Sequence, residues 1–254
     1  MTTSALGLPG YVDGIDISQV QRIDDAQAVR DAGFAFAVVK LSEAAGYCDP
    51  RAQEHLSQLR DVGVHVGGYG FARVAGEPRA QARATVDRCA GQVHIVRPVL
   101  DLETAPTDWT AAALCAWAEA WLDEARLSGG LPVLYSYTSF LARMRGGGLQ
   151  ALLDAVPLWL AQYRSTSYAW APASSADMPR GYDWQLWQYS GDKGHRVAGV
   201  VGDCDRNLFR GSSADLRAWF GLPPEGTEID VGGPVHGTHV VDAALGERDE
   251  PGEA

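Results

Sequence analysis

Several common protein classes are excluded by what this chain lacks. No apolar run in its 254 residues approaches the ~20 needed for a membrane-spanning helix. The start, MTTSALGLPGYVDG, has neither the basic n-region nor the apolar h-region of a secretory signal. Cysteine is scarce: Cys48, Cys89, Cys115 and Cys204 lie far apart with no CxxC spacing. That pattern predicts thiols that are reduced and mostly buried, as in a protein made in a cytoplasm. There is no basic stripe, which argues against nucleic acid or an anionic membrane as partner. Nucleophile elbows of the GxSxG type, P-loops and GxGxxG turns are also missing, so no nucleotide cofactor is implied. The histidines are scattered, and the HGTH of His236–His239 lacks a third ligand. Zinc sites need three or four convergent ligands, so no metal is expected.

What is present is a large apolar inventory, 46% of the residues, and a formal net charge of −11. The charge is uneven. Residues 222–254 carry eight acids and one base, a net of −7, which leaves −4 on the first 221 residues. The sequence GLPPEGTEIDVGGPVHG marks a domain end near Gly221. Residues 1–10 read as a short leader, 11–221 as one domain, and 222–254 as an acidic, Gly/Pro-rich and flexible tail that could dock to a partner. A barrel of alternating strands and helices needs ~250 residues, so one such domain would use nearly the whole chain.

Candidate strands fall at residues 12–17, 34–41, 64–71, 95–102, 132–137, 158–163, 184–189 and 203–209. Candidate helices fall at 23–32, 50–62, 78–90, 110–127 and 212–220. The run FAFAVVKL is nearly all apolar, as for a strand covered on both faces. Thr110 is placed to cap a helix whose stripe is Leu114, Trp117, Trp121 and Leu122. Strand–helix alternation through the first five strands implies parallel pairing with right-handed crossovers. After Tyr135 there is little room for helices. The predicted fold is α/β: a single irregular eight-stranded (β/α) barrel, TIM-barrel-like, with about five helices.

The chemistry concentrates in RPVLDLETAPTDW, residues 97–109. Residues i and i+2 of a strand share a side, so if Val99 faces inward, Asp101 and Glu103 do too. They stand at a strand's C-terminal end, where barrel active sites lie. Mutual repulsion and lost hydration raise the pKa of such a pair, leaving one acid protonated beside one ionised carboxylate. A glycosidase needs that arrangement. VDGIDIS puts Asp16 at the end of the first strand, and GDCDRNLF puts Asp205, Asn207 and Phe209 on one face of the last. First and last strands of a barrel are neighbours, so Asp16 and Asp205 would meet at the mouth. Strand parity alone does not separate Asp205 from Asp203.

These segments, in order, resemble the glycoside hydrolase family 25 muramidases (Chalaropsis-type lysozymes): GIDIS (14–18), VVKLSEAAGYCDP (38–50), VGGYGFA (66–72), VLDLE (99–103), PVLYS (132–136), PLWLAQY (157–163), WQLWQYS (184–190) and GVVGDCDRNLF (199–209). The resemblance spans about residues 11–210. It favours Asp205 over Asp203, because Asn207 and Phe209 match the family's Asp-x-Asn-x-Phe ending. It implies an eight-stranded barrel with five helices, Glu103 as general acid, and Asp101 stabilising the reacting sugar or its 2-acetamido group. Asp16 and Asp205 would hold that constellation. Tyr69 and Tyr135 would contact the sugar, with Trp159, Tyr163 and Gln188 as further candidates for the cleft wall. One departure stands out: Gly70 follows Tyr69, where the family commonly has His or another polar residue.

The implied activity is cleavage of the β-1,4 bond between N-acetylmuramic acid and N-acetylglucosamine in bacterial peptidoglycan, with no cofactor. With no signal segment, the implied setting is a phage endolysin released through a holin, or a lytic part of a phage-like particle. Two alternatives remain: a non-catalytic glycan-binding or structural barrel, and a hydrolase of another N-acetylated glycan such as chitin.

Overall fold

The computed structural model describes residues 6–91, 95–164, 171–191 and 195–224. The order of elements is β1 (Tyr11–Ile17), β2 (Arg22–Ile23), α1 (Ala26–Asp31), β3 (Phe36–Glu43), β4 (Tyr47–Cys48), α2 (Ala52–Asp61), β5 (His65–Phe71) and α3 (Pro78–Arg83), which runs into a π-helical turn, Ala84–Arg88. There follow β6 (Pro98–Asp101), α4 (Ala111–Leu127), β7 (Val133–Tyr137), α5 (Thr138–Met144), α6 (Leu149–Ala155) and β8 (Leu158–Ala161). The chain continues through a 3₁₀ turn, Ser175–Asp177, to β9 (Leu186–Ser190), β10 (Val200–Val201), β11 (Asp205–Arg210) and α7 (Ser213–Trp219).

Eight strands close a barrel in the order β1-β11-β9-β8-β7-β6-β5-β3, and β3 pairs back onto β1. Pairing is parallel from β1 through β3, β5, β6, β7, β8 and β9, whereas β11 runs antiparallel to both β9 and β1. The antiparallel strand is what the helix-poor final third permits, since a parallel return would need a longer crossover.

Alternation sorts the side chains. Val12, Phe36, Val38, Val99, Val133, Trp159, Leu186 and Phe209 form the barrel interior. Leu100, Leu134, Leu158, Leu160, Trp187 and Leu208 face outward into a layer built on α4 and its neighbours, and Ile15, Ile17, Ala37, Val39 and Leu41 face another built on α2. Gly14 points inward against the Phe36 ring: a Cβ there would lie 2.3 Å from it. The predicted stripe of α4 is buried at Leu114, Trp117, Trp121 and Leu122, and Thr110 Oγ1 caps the helix by accepting from the Ala113 N–H at 3.1 Å. Burial of each such side chain is worth about 1.5–3 kcal/mol.

Two expectations require correction. The helices number seven among the described residues, not five, because α5 and α6 occupy the space after β7 judged too small for helices. Each has only seven residues, too few for a periodic stripe, and the intervening Gly-rich turn ends at Gly148 with φ 112°. The cysteines are not all reduced: Cys48 and Cys89, 41 residues apart in sequence, form a disulfide, while Cys115 and Cys204 are free and buried. Linear spacing hid this pair, since β4 and the end of the π-helical turn meet only through the β3–β5 pairing. Part of residues 1–10, read as a short leader, is described. Leu6 and Leu8 pack against the core, and the Leu6 N–H donates to Asp13 at 3.3 Å. Residues 225–254, including His236 and His239, lie outside the described residues.

Candidate active site

The C-terminal ends of the parallel strands form an acidic mouth. Val99 faces the interior, so Asp101 ends β6 pointing the same way, buried beside its partners Phe71 and Tyr135 on the flanking strands. Backbone pairing persists one residue past the strand, with the Leu102 N–H donating to Tyr135 O at 3.0 Å. Ser136 Oγ then donates to Leu102 O at 2.6 Å, and Tyr137 Oη to Glu103 O at 3.2 Å. The segment that presents Glu103 is thereby fixed by its main chain, while the carboxyl group itself is half-buried at the opening.

Asp16, the penultimate residue of β1, lies directly opposite Asp205, the first residue of β11. That register separates the two candidates left by parity. Asp205 lies in the mouth, whereas Asp203 precedes the strand and pairs with Arg196 at 3.2 Å on the outside. Asp16 Oδ2 accepts from Asn207 Nδ2 at 2.7 Å and Gln188 Nε2 at 2.8 Å. Asn207 Oδ1 in turn accepts from Trp159 Nε1 at 2.8 Å.

The electrostatics follow from burial. Asp16 is pushed up to about 6, chiefly by loss of hydration, against the lowering effect of the bonds from Asn207 and Gln188. Asp101 is raised well above the ordinary carboxylate range by burial, then by the charges of Glu103 and Asp16. Glu103 is raised by burial and pulled back by the nearby cations Lys40 and Arg73. Both members of the doublet therefore bind protons more readily than ordinary carboxylates, Asp101 being the deeper group. One oxygen of Asp101, Oδ1, is buried with no hydrogen-bond partner among the described residues.

The aromatic candidates divide. Tyr69 faces Asp16, Asp101 and Asp205, and burial and those charges keep its phenol neutral. Tyr135 is buried and packs edge-on against Trp159, centroids 4.6 Å apart. Trp159 is itself only 2% exposed, a wall behind the site. Tyr163 is 52% exposed at the mouth. Gln188 is buried among the acids and tyrosines. Gly70 does not face the cleft. A Cβ there would lie 2.2 Å from Thr85 Oγ1, on the helix side of β5, where Ser42 and Thr85 hydrogen-bond to each other at 2.8 Å. A side chain at this position would therefore point toward the π-helical turn and away from the four acids.

A rim of charge at the mouth was not singled out in the sequence. Lys40 Nζ donates to Glu43 at 2.8 Å, Arg73 bonds the same carboxylate, and both cations flank the Phe71 ring. A signal was present: Lys40 follows Phe36 and Val38 on the inward parity of an otherwise apolar run. Among the described residues, no group of three or more His, Cys, Asp and Glu side chains is arranged to hold a metal ion.

Comparison with known proteins places these residues in context. The profile of glycosyl hydrolases family 25 matches residues 15–199. Lysozyme M1 of Streptomyces globisporus is 31% identical over 219 residues, covering 82% of this chain and 70% of that protein. The lysozyme of Streptococcus phage Cp-7 is 28% identical over 188 residues, 69% of this chain and 49% of its own length. Among solved structures, the bacterial lysozyme from Streptomyces coelicolor superposes with a TM-score of 0.68 at 28% identity, covering 82% of this chain and 96% of that one.

Proposed function

The chain belongs to glycosyl hydrolase family 25 and is a muramidase acting on peptidoglycan; from that premise we propose that Asp101 and Glu103 carry the reaction, with Asp16 and Asp205 behind them. The observation that carries the assignment is the placement of both members of the doublet at the C-terminal end of β6, facing a second acid pair across the mouth.

Glu103 is the general acid. It is the half-exposed member, one methylene longer than Asp101, and it can reach the glycosidic oxygen of the β-1,4 bond between N-acetylmuramic acid and N-acetylglucosamine. A bound sugar would move the proton toward it in two ways. Covering Glu103 removes water from its carboxyl and favours the protonated form. An acetamido N–H donating to the unpartnered Asp101 Oδ1 favours the ionised form there. Glu103 then protonates the leaving oxygen, and ionised Asp101 stabilises the positive charge developing at the sugar carbon or polarises the acetamido group. Tyr69 and Tyr135 bound the sugar site, with Tyr163 at its edge.

The disulfide supports action outside a reducing cytoplasm. The similarity to a phage lysozyme supports, more specifically, an endolysin that reaches the wall after release. Among the described residues no helix is long and apolar enough to cross a membrane. Residues 11–221 act as the catalytic barrel, and of the acidic segment 222–254 the part beyond Pro224 is dispensable for soluble glycan, because Leu222 and Pro223 still bond Arg217. Truncation after Pro224 should leave kcat on soluble fragments within about twofold, and a larger loss would show that the segment shapes the cleft.

Mass spectrometry of a peptidoglycan digest tests the bond specificity. Products ending in reducing muramic acid are expected. Reducing-end glucosamine would refute the assignment, and cleavage of chitin oligomers at a comparable rate would make the enzyme a broader N-acetylglycan hydrolase.

A further inference from the structure

Gln188 lies on β9 opposite Asn207 of β11, and it is 3% exposed. Its carbonyl oxygen accepts from Tyr135 Oη at 2.9 Å and from Tyr163 Oη at 2.7 Å. Its amide nitrogen donates to Asp16 Oδ2 at 2.8 Å and Asp205 Oδ2 at 3.4 Å. One side chain therefore touches two acids on two different strands, a phenol on β7 and a second just after β8.

The chemistry permits this amide only one direction. Burial keeps both phenols protonated, so they offer O–H groups to the carbonyl oxygen. Ionised carboxylates accept and do not donate. Turned around, the amide would set its oxygen against two ionised carboxylates, which cannot donate to it, and the phenols, which can donate or accept, would not offset that loss. Asp16 and Asp205 are directly opposed across an antiparallel pair, where like charges destabilise, and the shared donor offsets that repulsion.

We propose that Gln188 is a positioning residue: its amide, aimed by Tyr135 and Tyr163, holds Asp16 and Asp205 as one unit behind the Asp101–Glu103 doublet. Gln188 acts through the acids and not through the sugar. Tyr163, half-exposed at the mouth, ties that buried unit to the surface where substrate arrives. The proposal rests on the reading of the four acids as the catalytic centre.

The ionisable groups around the pair come from every strand packed against it. They are Cys204 and Arg206 beside Asp205, Asp101 and Glu103 at the end of β6, and Lys40, Glu43 and Asp49 from β3 and the segment after it. Tyr69 on β5, Tyr135 on β7 and Tyr163 after β8 also face it among the described residues. The cations act elsewhere: Lys40 bonds Glu43, and Arg206 bonds the Arg196 carbonyl and lies over the Phe34 ring on the outer face. Removal of the amide takes from Asp16 one of two amide donors, the other being Asn207, and takes from Asp205 the donor it shares with Asp16, so both carboxylates bind protons more readily.

The test is the pH dependence of kcat and KM on a soluble glycan fragment, with thermal unfolding measured alongside. Gln188→Met, close in shape and without the amide, should lower kcat about 10- to 100-fold and change KM less than about threefold. Its acid limb, where rate is lost as the pair is protonated, should move up by about one pH unit. Tyr163→Phe alters one hydroxyl at a half-exposed position and serves if Gln188→Met fails to fold. It should lower kcat about two- to tenfold, with a shift in the same direction. A lowered Tm with a uniformly lower rate and an unmoved acid limb would make Gln188 merely structural and overturn the proposal. A failure of the underlying reading looks different: Glu103→Gln would then retain activity, whatever the Gln188 variants do.

Discussion

At the N-terminal end of the barrel strands the inward positions are Val12, Phe36, Val99, Val133 and Leu186, closed off by Phe220. Outside them Arg97 lies over the Trp219 ring at 3.9 Å and donates to the Trp219 carbonyl at 3.0 Å. Two or four residues further along the same strands, on the same parity, stand Asp16, Lys40, Asp101, Tyr135 and Gln188. The backbone geometry is shared, and only the side chains change. The apolar end gains free energy by burial, whereas the mouth holds carboxyl groups whose charged forms are disfavoured there. The first end offsets the second, which is how a fold carries groups arranged for chemistry at the expense of stability.

The contrast predicts that the two ends fail differently. Glu103→Gln keeps shape and removes the transferable proton, so kcat should fall ~10²–10⁴-fold with Tm nearly unchanged in calorimetry. Phe36→Ala, at the apolar end, should do the reverse. It should lose about 3–5 kcal/mol in urea unfolding with near-normal kcat per folded molecule well below Tm. Reduction of Cys48–Cys89, which closes a loop of about forty residues, should cost about 3–4 kcal/mol on the chain-entropy account. Comparing unfolding with and without reductant reads this directly.

Stability should also depend on pH in the sense set by the mouth. Asp16 and Asp101 have folded pKa values above their unfolded ones. The native state therefore keeps protons that the unfolded chain releases, and stability present at low pH is lost as pH rises through the folded values. Unfolding free energy should fall by about 1–3 kcal/mol between pH 5 and pH 8, and Asp101→Asn should flatten most of that slope. The smallest effect is Gly70→Ala. Its methyl would press on Thr85, costing about 1–3 kcal/mol by overpacking with KM unchanged, as expected for a position outside the cleft.

Much of this was legible from residues alone. The eight strands, the α4 stripe and the doublet at the end of VLDLE followed from alternation and from acids at the close of an apolar run. Adjacency of first and last strands pointed to Asp16 and to one of Asp203 and Asp205, and only the resemblance of Asn207 and Phe209 to the family's Asp-x-Asn-x-Phe ending favoured Asp205. What could not be read were relations that exist only after the barrel closes. The disulfide joins segments 41 residues apart, α5 and α6 are too short to show a period, and Gly70 turned its missing side chain toward Thr85 and away from the four acids. Gln188 could be listed with the cleft residues, but its link to two acids depends on a register that no local pattern encodes.

One shared proton at the mouth is central to the proposed chemistry, and site-resolved carboxyl NMR through a pH titration measures it. Resonances of Asp101 and Glu103, assigned with Asp101→Asn and Glu103→Gln, should show Asp101 protonated in the free enzyme well above the ordinary carboxylate range. A soluble substrate analogue should then shift protonation toward Glu103. Both groups ionising together near pH 4, with no response to the analogue, would contradict the account.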